Sequence, residues 1–193
     1  MQAQLAAKDI ACRRGDRLLF SGLSLQCAAG DAVHIAGANG VGKSSLIRIL
    51  AGLLRPYLGE VSHDGAMGLV DERLAMDENH TLRDALAFWE RLDGCGDPGR
   101  ALEVLQLDPL MDVPVRFLST GQRKRAAMAR LLNAAQPIWL LDEPLNGLDD
   151  QARKSVEALV ALHCGGGGIA VVASHQPMAL PRARMIALAD YAK

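Results

Sequence analysis

The stretch AVHIAGANGVGKSSLIRILAGLL, residues 32–54, places three glycines, a lysine and two serines between an apolar pentapeptide and a run of helical periodicity. A glycine-rich turn between a buried strand and a helix lets consecutive backbone N–H groups converge on one anion. Gly37, Gly42, Lys43 and Ser44 fit G-x-x-x-x-G-K-[ST], in which the lysine reaches the β/γ-phosphates and the hydroxyl reaches Mg²⁺. The residues expected to cradle a nucleotide are therefore Gly37, Ala38, Asn39, Gly40, Val41, Gly42, Lys43, Ser44 and Ser45, with Ser44 also a metal ligand.

Working outward, apolar stretches at 4–11, 17–26 and 32–36 predict strands, and the last feeds the glycine loop. A helix is predicted from Gly42 to Leu53, with Leu46, Ile49, Leu50 and Leu53 on one face and Gly52 and Pro56 at its end. GEVSHDGAMGLV reads as short strands around an Asp-Gly turn. From residue 81 the period turns helical, with Leu82, Ala85, Leu86 and Trp89 sharing a face, and GCGDPG breaks to a helix near 99–107. A third helix runs through RKRAAMARLLNAA, and its basic first turn opposes the helix dipole, so those charges need an outside partner or water. PIWLLDE is a strand, 149–163 a helix, IAVVAS a strand and RMIALAD a last strand. Strands and helices alternate at both ends, with a helical insert from about residue 72 to 136. This predicts one α/β domain over 1–193, with a core lobe at about 1–71 and 137–193 and a helical lobe at about 72–136.

Composition narrows the classes. The chain has 193 residues and a formal charge of −1, which leaves no electrostatic footprint for nucleic acid. No run of about 18 apolar residues could span a bilayer, and the charged start does not read as a secretion signal, so a soluble cytosolic chain is expected. Cys12, Cys27, Cys95 and Cys164 are scattered without a C-x-x-C pair, which predicts reduced thiols rather than metal or disulfide roles.

A phosphate loop alone leaves kinases, GTPases, motors and transport ATPases open, and the downstream motifs decide among them. IWLLDEP ends an apolar strand in Asp142 and Glu143, the arrangement of a Walker B segment. The first carboxylate then helps to hold Mg²⁺ and the second orients and deprotonates the attacking water. LSTGQRKR at 118–125 offers Ser119, Gly121, Gln122 and a helix N-terminus as a second phosphate grip. LNGLD carries Asp149, and ASHQP carries His175 after a strand.

These motifs resemble the ABC ATPase superfamily: a P-loop NTPase with a mixed-sheet core and an inserted helical lobe, its signature LSGGQ here written with Thr120. Within it, FSGLS, the tryptophan of PIWLLDEP and SHQP are similar to the ATP-binding subunits of cytochrome c biogenesis, the haem-exporter type. The resemblance implies Asp149 in the D-loop and His175 as the switch histidine on the γ-phosphate, catalytic beside Glu143. It implies a head-to-tail homodimer around two ATP and Mg²⁺, in which each subunit lends its signature to the other. It further implies integral membrane partners on the cytoplasmic face of the bacterial inner membrane, and a role in haem export or release of a haem-loaded chaperone.

Three departures stand beside the resemblance. Arg13 or Arg14 falls where an adenine-stacking aromatic is usual. The Gln expected near 70–74 is absent, and Asp71 or Glu72 could offer an oxygen toward Mg²⁺ or its water. The segment between 60 and 80 is short for the family. Rival readings are an ABC exporter ATPase for another substrate, a non-transport ABC protein working on nucleic acid or ribosomes, and a nucleotide-binding regulator without turnover.

Overall fold

The computed structural model describes residues 3–93, 98–180 and 182–192. Of the predicted break at 94–99, residues 94–97, Cys95 among them, lie outside the described residues. In chain order the elements begin with strands β1 (Gln4–Arg14), β2 (Arg17–Ala28) and β3 (Ala32–Ala36), helix α1 (Lys43–Leu50), and strands β4 (Leu58–Asp64) and β5 (Met67–Val70). Helices α2 (Leu82–Asp93), α3 (Pro98–Val104) and α4 (Thr120–Ala134) follow, with two short 3-10 turns between the last pair. Strand β6 (Ile138–Asp142), helix α5 (Asp150–Gly165), and strands β7 (Ile169–Ser174) and β8 (Arg184–Ala187) complete the chain, before a closing 3-10 turn.

The strands form two sheets. β1, flanked by β2 and β4, makes an antiparallel sheet of three strands. The other five strands run in the order β5-β6-β7-β3-β8, every neighbouring pair parallel. The Asp-Gly turn at 64–65 therefore closes no hairpin, because the strands on either side of it belong to different sheets. Gly65 sits at φ 109, a conformation that favours glycine, and it carries the chain from one sheet to the other.

Alternation along β6 and β7 explains the layers. Ile138, Leu140, Ile169, Val171 and Ala173 pack with α1 and the antiparallel sheet, while Trp139, Leu141, Ala170 and Val172 pack with the helices of the 82–160 region. Both faces are covered, as an all-parallel sheet requires. Helix α1 is shorter than predicted. It stops at Leu50, and Leu53, expected on its buried face, is 67% exposed in the turn beyond. The final strand likewise ends at Ala187, and Leu188 to Tyr191 form a 3-10 turn.

The basic residues at the start of α4 find partners within the chain. Arg123 donates to the carbonyls of Leu118 and Arg116, and Arg125 to those of Leu105 and Gln106. Lys124, buried, donates to the carbonyls of Asp71 at 3.0 Å and Asp142 at 2.9 Å. Their charge is met by backbone carbonyls of neighbouring segments and, for Arg123, by Glu78 at 3.9 Å, which offsets the unfavourable dipole.

Candidate functional site

Three central strands end together. Ala36 of β3 pairs with Ser174 of β7, and Asp142 of β6 pairs with Ala173. The carboxyl edge of a parallel sheet is where α/β folds bind ligands, because the following loops and helix N-termini converge there. The glycine loop leaves β3 at this edge. Gly40 at φ 82 and Gly42 at φ 113 adopt left-handed backbone, and a Cβ on Gly42 would come within 3.1 Å of the Phe20 ring. The loop can therefore turn its N–H groups inward only with glycine at these positions.

Lys43 opens α1 and is 5% exposed. Its Nζ donates to the carbonyls of Gly37 at 2.8 Å and Ala38 at 3.1 Å, and lies 3.2 Å from Glu143 Oε1. Glu143 sits just past β6 with φ 45, an unusual backbone for a non-glycine residue. Its N–H donates to the Ala173 carbonyl at 2.8 Å, which holds the turn. The turn aims the carboxylate at β7, where the Ser174 hydroxyl donates to Oε2 at 3.3 Å and the His175 backbone N–H to Oε1 at 3.2 Å. His175 Nδ1 lies 2.9 Å from Oε2, so with the carboxylate ionised the ring carries its proton on Nδ1. Burial works to raise the Glu143 carboxyl, but the hydrogen bonds from His175 and Lys43, with their charges, outweigh it and hold the group below its ordinary value. Glu143 is ionised throughout the neutral range.

Asp142 behaves oppositely. Burial pushes its carboxyl up, the charges of Glu143 and Glu72 add to this, and the Ser44 hydrogen bond and Lys124 oppose it. Its Oδ1 is buried and has no hydrogen-bond partner among the described residues. Such an orphan acceptor, close to the Ser44 hydroxyl, fits a divalent cation. Among the described residues no group of three His, Cys, Asp or Glu side chains lies close enough to hold a metal. A Mg²⁺ at Ser44 and Asp142 would therefore share its coordination with phosphate oxygens and water, its usual habit beside a nucleotide.

A cleft of about 370 Å³ lies over this edge, lined by Asn39, Gly40, Gly42, Lys43, Ser44 and Ser45 with Glu143, and also by Arg14, Leu19, Glu72 and Asn146. Ser119, Gly121, Gln122 and Asp149 do not line it. Ser119 caps α4, its side chain accepting from the Gln122 N–H at 3.3 Å while the Gln122 side chain accepts from the Ser119 N–H at 2.8 Å. Gly121 abuts the Gly147 carbonyl, where no Cβ would fit, and Asp149 caps α5 by accepting from the Ala152 N–H at 2.8 Å. Of the two arginines, Arg13 is bound to the Gly15 carbonyl and Asp16 and lies over Tyr57, whereas Arg14 borders the cleft. Lys124, Ser174 and Asn146 had no role in the sequence reading. Ser174 precedes the singled-out histidine directly, while nothing local marks Lys124.

The ABC transporter family model matches residues 20–146, which contain the glycine loop, the signature helix and the Asp142–Glu143 pair. The cytochrome c biogenesis ATP-binding export protein CcmA of Novosphingobium aromaticivorans is 58% identical over 187 residues, 97% of this chain and 96% of its own length. The chain belongs to the ABC transporter family. The CcmA protein of Zymomonas mobilis is 48% identical over 98% of this chain and 86% of its own length. An ABC transporter ATP-binding protein from Pyrococcus furiosus shares the fold with a TM-score of 0.83 at 20% identity, covering 98% of this chain and 100% of that one. This ABC subunit is thus an ATP-binding, ATP-hydrolysing protein with the P-loop α/β architecture. Among the described residues no helix is long and apolar enough to cross a membrane.

Proposed function

We propose that this chain is the ATP-hydrolysing subunit of a membrane ABC complex that acts in c-type cytochrome maturation, in haem export or release of a haem-loaded chaperone. The observation that carries the reading is the Lys43–Glu143–His175 cluster in a chain 58% identical to a CcmA over nearly its whole length. In this reading the loop from Gly37 to Ser45 cradles the phosphates and Lys43 faces the β/γ-phosphates. Ser44 and Asp142 would hold a Mg²⁺, which would supply positive charge beside the phosphate oxygens. Glu143 is the base for the attacking water, and His175, already bonded to it, positions it and offers its ring to the γ-phosphate.

Ser119, Gly121, Gln122 and Asp149 serve the nucleotide of a second subunit in a head-to-tail homodimer. Ser119 and Gln122 at the start of α4 and Asp149 at the start of α5 present helix N-termini that the phosphates of a second subunit's nucleotide would meet. The whole chain acts as one cassette, with a core lobe at about 1–71 and 137–193 and a helical lobe at about 72–136. The cassette docks on integral membrane subunits at the cytoplasmic face of the bacterial inner membrane. The test is affinity purification from detergent-solubilised membranes. Integral membrane proteins should copurify with the chain. Recovery of the chain with nucleic acid, or without membrane proteins, would reject the coupled-subunit reading.

Arg14 takes the place of the missing adenine-stacking aromatic, its guanidinium plane lying against the base. Arg14→Ala should weaken ATP binding by about 0.5–2 kcal/mol and leave the hydrolysis step intact. Arg13→Ala, whose guanidinium is tied to Gly15, Asp16 and Tyr57, should change affinity far less. Equilibrium titration of both variants with ATP checks this, and equal losses would remove the distinction between them.

A further inference from the structure

The turn that aims Glu143 hangs on a single peptide unit, the one joining Asp142 to Glu143, and both ends of that unit are held. Its N–H donates to the Ala173 carbonyl at 2.8 Å, and its carbonyl accepts from Lys124 Nζ at 2.9 Å. The second bond fills a gap in the sheet. The last register pair between β5 and β6 is Val70 with Leu141, so Asp142 has no partner residue on β5. Lys124 stands in for one, and its ammonium also meets the carbonyl of Asp71, the residue just past β5, at 3.0 Å. A charged side chain that is 7% exposed is kept only where its donors are satisfied, and the two acceptors met here are main-chain carbonyls at the carboxyl edge of the sheet. Glu143 needs such a hold. Its φ of 45 is a conformation that a non-glycine residue keeps only where its surroundings impose it.

We propose that Lys124 is a positioning residue for the catalytic base: from α4 it clamps the Asp142–Glu143 peptide and so fixes the direction of the Glu143 carboxylate. The inference rests on the reading of Glu143 as the base and deepens it. Lys124 does not line the cleft, so it acts through the backbone and not on the nucleotide. Without its ammonium the two buried carbonyls lose their donor, and the peptide can rotate toward the commoner backbone conformations. The carboxylate then leaves the place where Lys43, Ser174 and His175 meet it. A reacting group misplaced by about 1 Å is enough to lose roughly 100-fold in rate. Ser119 caps the same helix. In the proposed dimer, the helix that grips the partner's nucleotide is therefore also the helix that aims the base at its own.

The experiment is a double-mutant cycle on the full chain, with Lys124→Met and Glu143→Gln alone and together. Equilibrium titration reads ATP affinity, and single-turnover phosphate release reads hydrolysis. Lys124→Met should lower hydrolysis roughly 10- to 100-fold and leave ATP affinity within about 2-fold of the parent, since Lys43 and the glycine loop are untouched. In Glu143→Gln no base is left to aim, so adding Lys124→Met should lower hydrolysis by less than about 3-fold more. If circular dichroism shows that Lys124→Met does not fold, Lys124→Gln carries the same cycle, because its amide is shorter than the lysine stem and keeps a donor in the buried space. Losses that multiply in the double variant, a loss of ATP affinity equal to the loss of rate, or hydrolysis at the parent rate in Lys124→Met would each overturn the proposal and leave Glu143 as the base. Hydrolysis at the parent rate by Glu143→Gln alone would instead overturn the reading of Glu143.

Discussion

Lys43→Ala should lose ATP binding by at least about 100-fold, because it deletes the fixed cation at the mouth of the glycine loop and its charge-assisted hydrogen bonds to phosphate. The Lys43 ammonium is pre-positioned. It is 5% exposed and held by the Gly37 and Ala38 carbonyls, so little side-chain entropy remains to be lost on meeting a phosphate. The substitution also strips Glu143 of a partner at 3.2 Å, leaving His175 and Ser174 to hold the carboxylate. Equilibrium binding of ATP with saturating Mg²⁺ checks the prediction, and circular dichroism of the variant separates lost binding from lost fold. Undiminished affinity in a folded variant would remove the glycine loop from the nucleotide site.

The second large effect falls on turnover alone. Glu143→Gln keeps the shape of the side chain and one of its two acceptor oxygens, toward either Ser174 or the His175 N–H, but it removes the base. Hydrolysis should fall by about 10²–10⁴-fold while ATP still binds. A nucleotide-bound dimer should then accumulate, because the closed pair no longer consumes the ATP that holds it together. Phosphate release gives the rate, and sedimentation in ATP gives the dimer. Hydrolysis by this variant at the parent rate would assign the base to another group.

Much of this was legible in the sequence where chemistry demands contiguous residues. A phosphate cradle must be built from successive N–H groups, so GANGVGKSSL could be recognised without a fold, and β3 and α1 lie on either side of it as the pattern required. Asp142 and Glu143 were legible because a buried strand that ends in two acids is costly unless they are used. What escaped were contacts between residues distant in the chain. Lys124 binds the carbonyls of Asp71 and Asp142, 53 and 18 positions away, and no periodicity marks such a bond. Gly121 read as part of a phosphate grip, yet the Gly147 carbonyl packed against it already excludes a side chain there. The choice between Asp71 and Glu72 also needed the structure, since only the Arg48 and Lys124 contacts withdraw Asp71 from the cleft. The strands around Gly65 look like a hairpin locally, and the choice of different sheets is made by partners elsewhere in the chain.

In the proposed reading the chain's ATP turnover is coupled to membrane partners, so it has to be read out on what those partners do. The most direct measurement replaces the chromosomal copy with Glu143→Gln in a strain without a second copy and stains membrane and periplasmic proteins for covalent haem. The account predicts c-type cytochrome polypeptides without covalent haem while b-type cytochromes persist. Normal covalent haem in that strain would contradict it.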